Sequence, residues 1–176
     1  TVFMSKKKDN EKLLHMVYAG LFAAMTALLT ATLHIPVASG YIHCGDAVIY
    51  LAAAMLPMPY AIGASAVGGA VADLLSGYPV YVLPTFLIKG LLALTFSLIG
   101  GNGMLSRKRF LSMGLCGLLS VAGYYLTAVL LYGGWAAQIP ATVPGNVIQA
   151  LASAAVYTVL AAALQKVLPR KSRIIG

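Results

Sequence analysis

The sequence is poor in charged residues. Only 9% of its 176 residues are Asp, Glu, Lys or Arg, whereas 60% are hydrophobic, and the mean hydropathy is +0.88. A water-soluble domain of this length has too little interior to hide so much apolar surface. The composition therefore excludes an ordinary soluble domain and predicts a multi-pass protein of the cell membrane, embedded in the lipid bilayer.

Motifs for catalysis and energy conversion are also missing. The sequence contains neither the H-E-x-x-H of metalloproteases nor the G-x-x-x-x-G-K-[ST] that holds nucleotide phosphates. We therefore expect no enzymatic activity, no cofactor and no ATPase of its own. The chain is also short for a carrier built from two inverted halves, which leaves capture of a small molecule as the favoured role.

Cysteine is scarce, and this bears on disulfides and metals. Of the two cysteines, Cys44 and Cys116, each is expected near a different membrane face, too far from the other for a disulfide. His34, His43, Cys44 and Asp46 could serve a metal-ion permease. The last three crowd into four positions and no C-x-x-C is present, so they cannot easily surround one ion. We predict no metal site.

Four acidic residues stand against twelve Lys and Arg, for a net charge of +8. The basic residues cluster beside apolar windows, where they set topology, so nucleic-acid binding is not expected. By the positive-inside rule all three clusters are expected to be cytoplasmic. The chain is then divided into a basic N-terminal segment (1–12), a transmembrane domain (13–168) and a basic tail (169–176). The clusters are Lys6, Lys7, Lys8 and Lys12; Arg107, Lys108 and Arg109; and Lys166, Arg170, Lys171 and Arg173.

The apolar stretch 47–75 is interrupted by LPMPY, which permits either one kinked helix or a hairpin of two. Because the first two basic clusters share one side, an even number of crossings separates them, and only the hairpin gives that count. The sequence therefore predicts an all-α bundle of six transmembrane helices with both termini cytoplasmic. The predicted helices are about Leu13–His34, Asp46–Leu56, Tyr60–Ser76, Val80–Gly100, Phe110–Tyr132 and Pro144–Val167.

The second of these helices is only roughly 16 Å long, too short to cross alone. We expect the preceding loop, 35–45, to fold into the outer half of the bundle, where irregular backbone is tolerated if it lines a cavity. Asp46 at the start of this helix is the residue type expected for an N-cap.

Two further ionisable residues lie inside apolar windows, Asp73 and Lys89. Such groups usually face a bundle interior with a partner, and their helices are joined by a short turn. We predict an Asp73–Lys89 interaction, direct or through water, which either holds the two helices together or leaves Lys89 to contact a ligand. Asn146 and Gln149 share one helix face, suited to interhelical hydrogen bonds or to a ligand.

The first helix carries small residues at every fourth position. Ala19, Ala23, Ala27 and Ala31 form a smooth stripe on which another helix can approach closely. Packing within this chain and docking of a separate subunit both fit this pattern.

Three stretches in order, GYIHCGDAVIYLAA, GGAVADLLSGY and VLPTFLIKGLLAL, resemble the substrate-binding S component of energy-coupling factor (ECF) vitamin transporters. The similarity extends over essentially the whole chain and is strongest to the riboflavin, hydroxymethylpyrimidine and pyridoxine-like branch. It implies an ECF S-component-like bundle in a prokaryotic plasma membrane. It also implies a site near the external face, formed by the loop after helix 1 and by helices 4, 5 and 6.

The resemblance further implies partners and a ligand. The stripe at Ala19, Ala23 and Ala27 would dock on a T subunit, while two ATPase subunits supply the energy to release the ligand inside. Pyridoxine or hydroxymethylpyrimidine is the favoured substrate, with riboflavin or another vitamin as the alternative. A metal-ion permease and a structural subunit without a ligand are the hypotheses from other classes. The expected substrate-binding residues are Tyr41, His43, Asp46, Tyr81, Lys89, Tyr125, Trp135, Asn146 and Gln149.

Overall fold

A computed structural model describes residues 2–37, 40–101 and 103–167, with side chains for 9–36, 41–101 and 103–167. The predicted basic tail, 169–176, lies outside the described residues. In the described ranges the chain forms α-helices joined by short connections, and one small β-hairpin. The helices are α1 (Val2–Thr32), α2 (Asp46–Met55), α3 (Met58–Leu75), α4 (Val82–Ile99), α5 (Arg107–Tyr132) and α6 (Trp135–Val167), with strands β1 (His34–Val37) and β2 (Gly40–His43) and a 3-10 turn at Pro79–Tyr81.

Five of these helices are long and apolar enough to cross a membrane: α1 from Asp9, α3, α4 with its preceding turn, α5 and α6. The predicted LPMPY hairpin is confirmed, because α2 ends at Met55 and α3 begins at Met58 with Pro57 as its N-cap residue. Proline is tolerated at the start of a helix because the backbone N–H groups there have no hydrogen-bond partner within the helix, so the N–H that proline lacks is not needed. The predicted bounds of the second to fifth helices agree with the structure to within about three residues.

The short helix α2 lies in the centre of the bundle. Contacts from α1 to α3, α3 to α4, α4 to α5 and α5 to α6 form an arc, and α2 packs against α1, α3, α4 and α6. Every residue from Asp46 to Ala54 is buried. Tyr50 stacks on Phe96 at 4.9 Å between ring centroids, and Tyr157 meets both rings edge-on. A helix that is apolar all round must be enclosed by others, and α2 is.

Two adjacent glycines let α3 approach its neighbours on both sides. A Cβ atom on Gly68 would come within 2.7–2.8 Å of Ala23 and Thr26 of α1, and one on Gly69 within 2.7 Å of the Lys89 side chain of α4. Because any larger side chain would displace backbone or a buried lysine, these positions need glycine. They set how closely α1, α3 and α4 pack against one another.

The bounds of the first and last helices differ from the prediction. Helix α1 begins at Val2 rather than Leu13, and α6 begins at Trp135 rather than Pro144, with Pro140 and Pro144 inside it. A proline cannot donate the backbone hydrogen bond to the carbonyl four residues earlier. Thr142 donates to the carbonyl of Gln138 and Asn146 to that of Thr142, which are not the carbonyls that the prolines leave free. The helix nevertheless continues through both prolines, as helices in membranes can.

The structure is predominantly helical, as predicted, but the loop after α1 is not irregular. Helix α1 stops at Thr32, and β1 pairs antiparallel with β2 in the register His34 opposite His43 and Pro36 opposite Tyr41. The hairpin packs on α1 and α6. Pairing the two short segments satisfies backbone groups that would otherwise be exposed to apolar surroundings.

The end of the bundle opposite the hairpin is held by Arg109. Its guanidinium donates hydrogen bonds to the carbonyls of Phe96, Gly101 and Gly103 at 3.1–3.4 Å, and it lies over the Phe96 ring at 4.7 Å. The residue is only 3% exposed. The sequence predicts it as part of a cytoplasmic basic cluster, but its side chain also caps the end of α4.

Candidate functional site

A pocket opens where the hairpin meets the adjacent ends of the helices. It encloses about 640 Å³ of space between atoms, its open mouth included, and is lined by residues from α1, β2, α3, the 3-10 turn, α4, α5 and α6. Of the predicted site residues, those that line it are Tyr41, His43, Tyr81, Lys89, Asn146 and Gln149.

Tyrosines form much of the pocket wall. Tyr41 of β2 lies 5.1 Å from Tyr78, which lies 6.4 Å from Tyr81, measured between ring centroids. Tyr124 of α5 also lines the pocket, and its hydroxyl is 3.1 Å from the hydroxyl of Thr85. Rings with polar tips can stack on a flat ligand and bond its edge. The wall therefore suits an aromatic compound with polar substituents.

A buried ion pair forms the floor. The Lys89 ammonium donates to Asp46 Oδ1 at 2.6 Å, and the two side chains are 2% and 1% exposed. Gln149 donates to Asp46 Oδ2 at 3.3 Å and accepts from the His43 backbone amide at 3.4 Å. The floor thus joins α2, α4, α6 and the hairpin. Because Asp46 is hydrogen-bonded at both oxygens, its charge is well compensated.

The predicted Asp73–Lys89 pair is therefore wrong as a direct contact. The central position of α2 brings Asp46 to the level of Lys89, and the lysine bonds that carboxylate. The predicted N-cap role of Asp46 is also wrong, since Gly45 is the N-cap residue and the Asp46 carboxylate accepts from Lys89 and Gln149 instead. Asp46 lies beneath the pocket and supports its floor.

Asp73 bonds the hairpin instead. The Tyr41 hydroxyl donates to Asp73 Oδ1 at 2.6 Å, which holds β2 against the end of α3. A hydrogen bond to a charged acceptor is among the stronger kinds in proteins, and here it joins two elements far apart in sequence. This contact fixes Tyr41 over the pocket.

The residues considered as possible metal ligands do not form a metal site among the described residues. Nδ1 of His43 accepts from the Gly45 amide at 3.0 Å, so this nitrogen carries no proton and the imidazole is neutral. Cys44 is exposed. Within the described part of the chain, no group of three or more His, Cys, Asp or Glu side chains is placed to hold a metal ion.

Tyr125 and Trp135 do not line the pocket, contrary to expectation. The Tyr125 hydroxyl donates to the Trp135 carbonyl at 3.0 Å, and their rings lie 6.1 Å apart on the outside of the turn between α5 and α6. Trp135 is 62% exposed, as expected for an aromatic residue at a membrane interface. Tyr124 lines the pocket instead, since one residue along a helix rotates a side chain by about 100°.

The alanine stripe of α1 is turned largely inward. Ala27 is 5% exposed, and Ala23 lies where α1 approaches Gly68 of α3. The docking prediction is therefore corrected for Ala27, which this chain covers itself. Ala19 is half-buried, while the neighbouring Gly20 and Ala24 are exposed.

The sequence did not single out several pocket residues as site residues. Thr30, Gly69, Asp73, Tyr78, Thr85 and Thr142 all line the cavity. Asp73 and Tyr78 carry signals of another kind, as an expected ion-pair partner and an interfacial aromatic. For the threonines, the sequence does not distinguish a side chain that lines a pocket from one that hydrogen-bonds a carbonyl of its own helix.

Comparison with known proteins agrees with this geometry. The sequence profile of the ECF-type riboflavin transporter S component matches residues 10–166. An uncharacterised protein of Pyrococcus woesei is 31% identical over 111 residues, which cover 63% of this chain and 74% of that protein. The matched range contains α3, α4, α5 and the hairpin, and it includes every lining residue named above. The chain therefore belongs to the family of S components of ECF-type vitamin transporters, the membrane subunits that bind the substrate.

Proposed function

We propose that the pocket beneath the hairpin captures a small aromatic B-vitamin or precursor from outside the cell. The observation that carries this proposal is the combination of tyrosine walls with a hydrogen-bonded polar floor in one cavity. Tyr41, Tyr81 and Tyr124 would hold a ring, while Asn146 and Gln149 would meet its polar edge. Pyridoxine or hydroxymethylpyrimidine is our favoured substrate, with riboflavin, named by the matching family, as the alternative.

This proposal includes a topology. Both termini are cytoplasmic, and α2 with the folded hairpin makes the sixth crossing, since α2 alone spans roughly 15 Å. The basic clusters before α1 and before α5 support this arrangement, because they need an even number of crossings between them. The pocket then opens outward.

Release inside requires partners. We propose that a T subunit docks on α1 and that two ATPase subunits drive the release. The exposed small residues Gly20 and Ala24, with Ala19 beside them, offer a close approach on the face of α1 that the described residues leave uncovered.

The test is to purify the protein from cells grown in rich medium and identify the released small molecules by mass spectrometry. We expect one aromatic vitamin-like compound, which the purified protein then binds below micromolar concentration. A matched variant, Gln149→Leu, is expected to lose it, because Gln149 lies at the centre of the floor. Unchanged uptake in this variant, together with a more stable bundle, would instead favour a structural subunit without a ligand.

A further inference from the structure

One carboxylate oxygen in the pocket has no hydrogen-bond donor among the described residues. Asp73 is 5% exposed, and its Oδ1 accepts the Tyr41 hydroxyl. Its Oδ2 is buried and accepts no hydrogen bond from the residues that the structure describes. A buried charged oxygen without a donor is costly, so a native structure rarely leaves one. This oxygen belongs to a residue that lines the cavity.

Other polar groups of the pocket have contacts of their own. Lys89 and Asp46 compensate each other at 2.6 Å. The Thr85 hydroxyl interacts with the Asp73 carboxylate and lies 3.1 Å from the hydroxyl of Tyr124, where either hydroxyl can be the donor. The Asn146 amide donates to the Thr142 carbonyl at 2.9 Å. These contacts hold the wall together and leave Asp73 Oδ2 able to accept from a ligand.

The charges of the site do not cancel. Two aspartates, Asp46 and Asp73, face one lysine, Lys89, so the formal sum is about −1 with both carboxylates ionised. The His43 ring adds no charge, because its Nδ1 accepts the Gly45 amide. A group buried in a negative cavity is favoured if it is a donor or a cation, and disfavoured if it is an anion.

We propose, on the basis of the function proposed above, that Asp73 Oδ2 selects the ligand by accepting a hydrogen bond from a ring N–H or amino group. Its negative charge also excludes the phosphorylated form of the same compound. Each candidate compound can supply such a donor: a protonated pyridine nitrogen in pyridoxine, an amino group in hydroxymethylpyrimidine, or the imide N–H of riboflavin. The pocket therefore takes neutral or cationic aromatic compounds and rejects their phosphate esters.

The experiment uses the full chain in detergent and titration calorimetry with six probes. The probes are pyridoxine, hydroxymethylpyrimidine and riboflavin, each beside its phosphate ester. We expect one unphosphorylated compound to bind, its ester to bind about 10- to 100-fold more weakly, and Asp73→Asn to weaken binding of the parent compound by a similar factor. The control is Asp9→Asn, the same change at an exposed position of α1, which should leave the affinity unchanged.

The comparison of each compound with its ester needs no variant, so it decides the matter even if Asp73→Asn fails to fold. Tyr41→Phe removes the bond to Oδ1 and keeps the carboxylate. It should keep the preference for the unphosphorylated form, whatever happens to the affinity for both forms. Equal binding of parent and ester, or wild-type affinity in a folded Asp73→Asn, overturns the role of Asp73 and leaves the vitamin-binding function intact. Binding of none of the six probes overturns both.

Discussion

Breaking the Lys89–Asp46 pair from one side is expected to destabilise the bundle strongly. Lys89→Met keeps a long flexible side chain against Gly69 but removes the charge that compensates Asp46. Both side chains are at most 2% exposed, so solvent compensates a remaining charge only weakly. Removing one partner of such a pair costs about 3–5 kcal/mol, because the remaining charge stays buried.

The double variant separates the charge from the packing. In Asp46→Asn with Lys89→Met, neither charge of the pair remains, and the amide of residue 46 can still bond Gln149. Replacing a buried pair by neutral groups is often close to neutral for stability. We expect the double variant to be closer in stability to the wild type than Lys89→Met alone, so that the two single losses do not add.

The assay is reversible denaturant unfolding in mixed micelles, followed by tryptophan fluorescence. Lys108→Met is the matched control, since Lys108 is exposed and the same substitution there should change the free energy of unfolding by less than about 0.5 kcal/mol. If Lys89→Met alone costs no more than this control, or if the double variant is as unstable as the sum of the single ones, the pair does not hold the floor.

Three further outcomes check the pocket, the docking face and the topology. Tyr124→Leu should weaken vitamin binding about 10-fold or more, because it removes a ring of the pocket wall, whereas Tyr125→Leu should leave the affinity unchanged. Titration calorimetry on both variants measures this, and a larger loss of affinity in Tyr125→Leu than in Tyr124→Leu would contradict the assignment. Gly20→Leu should prevent co-purification of the T subunit while Gly114→Leu, an equally open glycine on α5, should not. A thiol reagent that cannot cross membranes should label the exposed Cys44 on intact cells; labelling only after lysis would reverse the proposed orientation.

The sequence predicts helices well where apolar length and proline position agree, and fails where they conflict. The bounds of α2 and α3 follow from LPMPY because Pro57 and Pro59 occupy places that proline favours, at the end of one helix and the start of the next. In α6, Pro140 and Pro144 suggest a late start. The helix nevertheless continues through both prolines, because whether a membrane helix tolerates proline depends on its surroundings in the bundle and not on the proline positions alone.

The error at Tyr125 is one of helical phase, and the sequence holds a signal that could have prevented it. Ser112, Cys116 and Ser120 recur every four residues in α5 and are all buried. Small residues at this spacing indicate the face that packs against neighbouring helices. Continuing the series by four gives Tyr124, which lines the pocket, rather than Tyr125, which bonds Trp135 on the outside.

The exchange of partners at Lys89 has a different origin. The expected pair with Asp73 assumes that helices adjacent in sequence, α3 and α4, supply each other's charges. Yet α2 is short and apolar all round, and such a helix is stable only when other helices surround it. Its first residue then lies inside the bundle rather than at the surface, and a buried Asp46 needs a cation more than Asp73 does, since Tyr41 already donates to Asp73. The burial of α2 at the centre of the bundle thus explains why Lys89 bonds Asp46, while Asp73 is left to line the pocket.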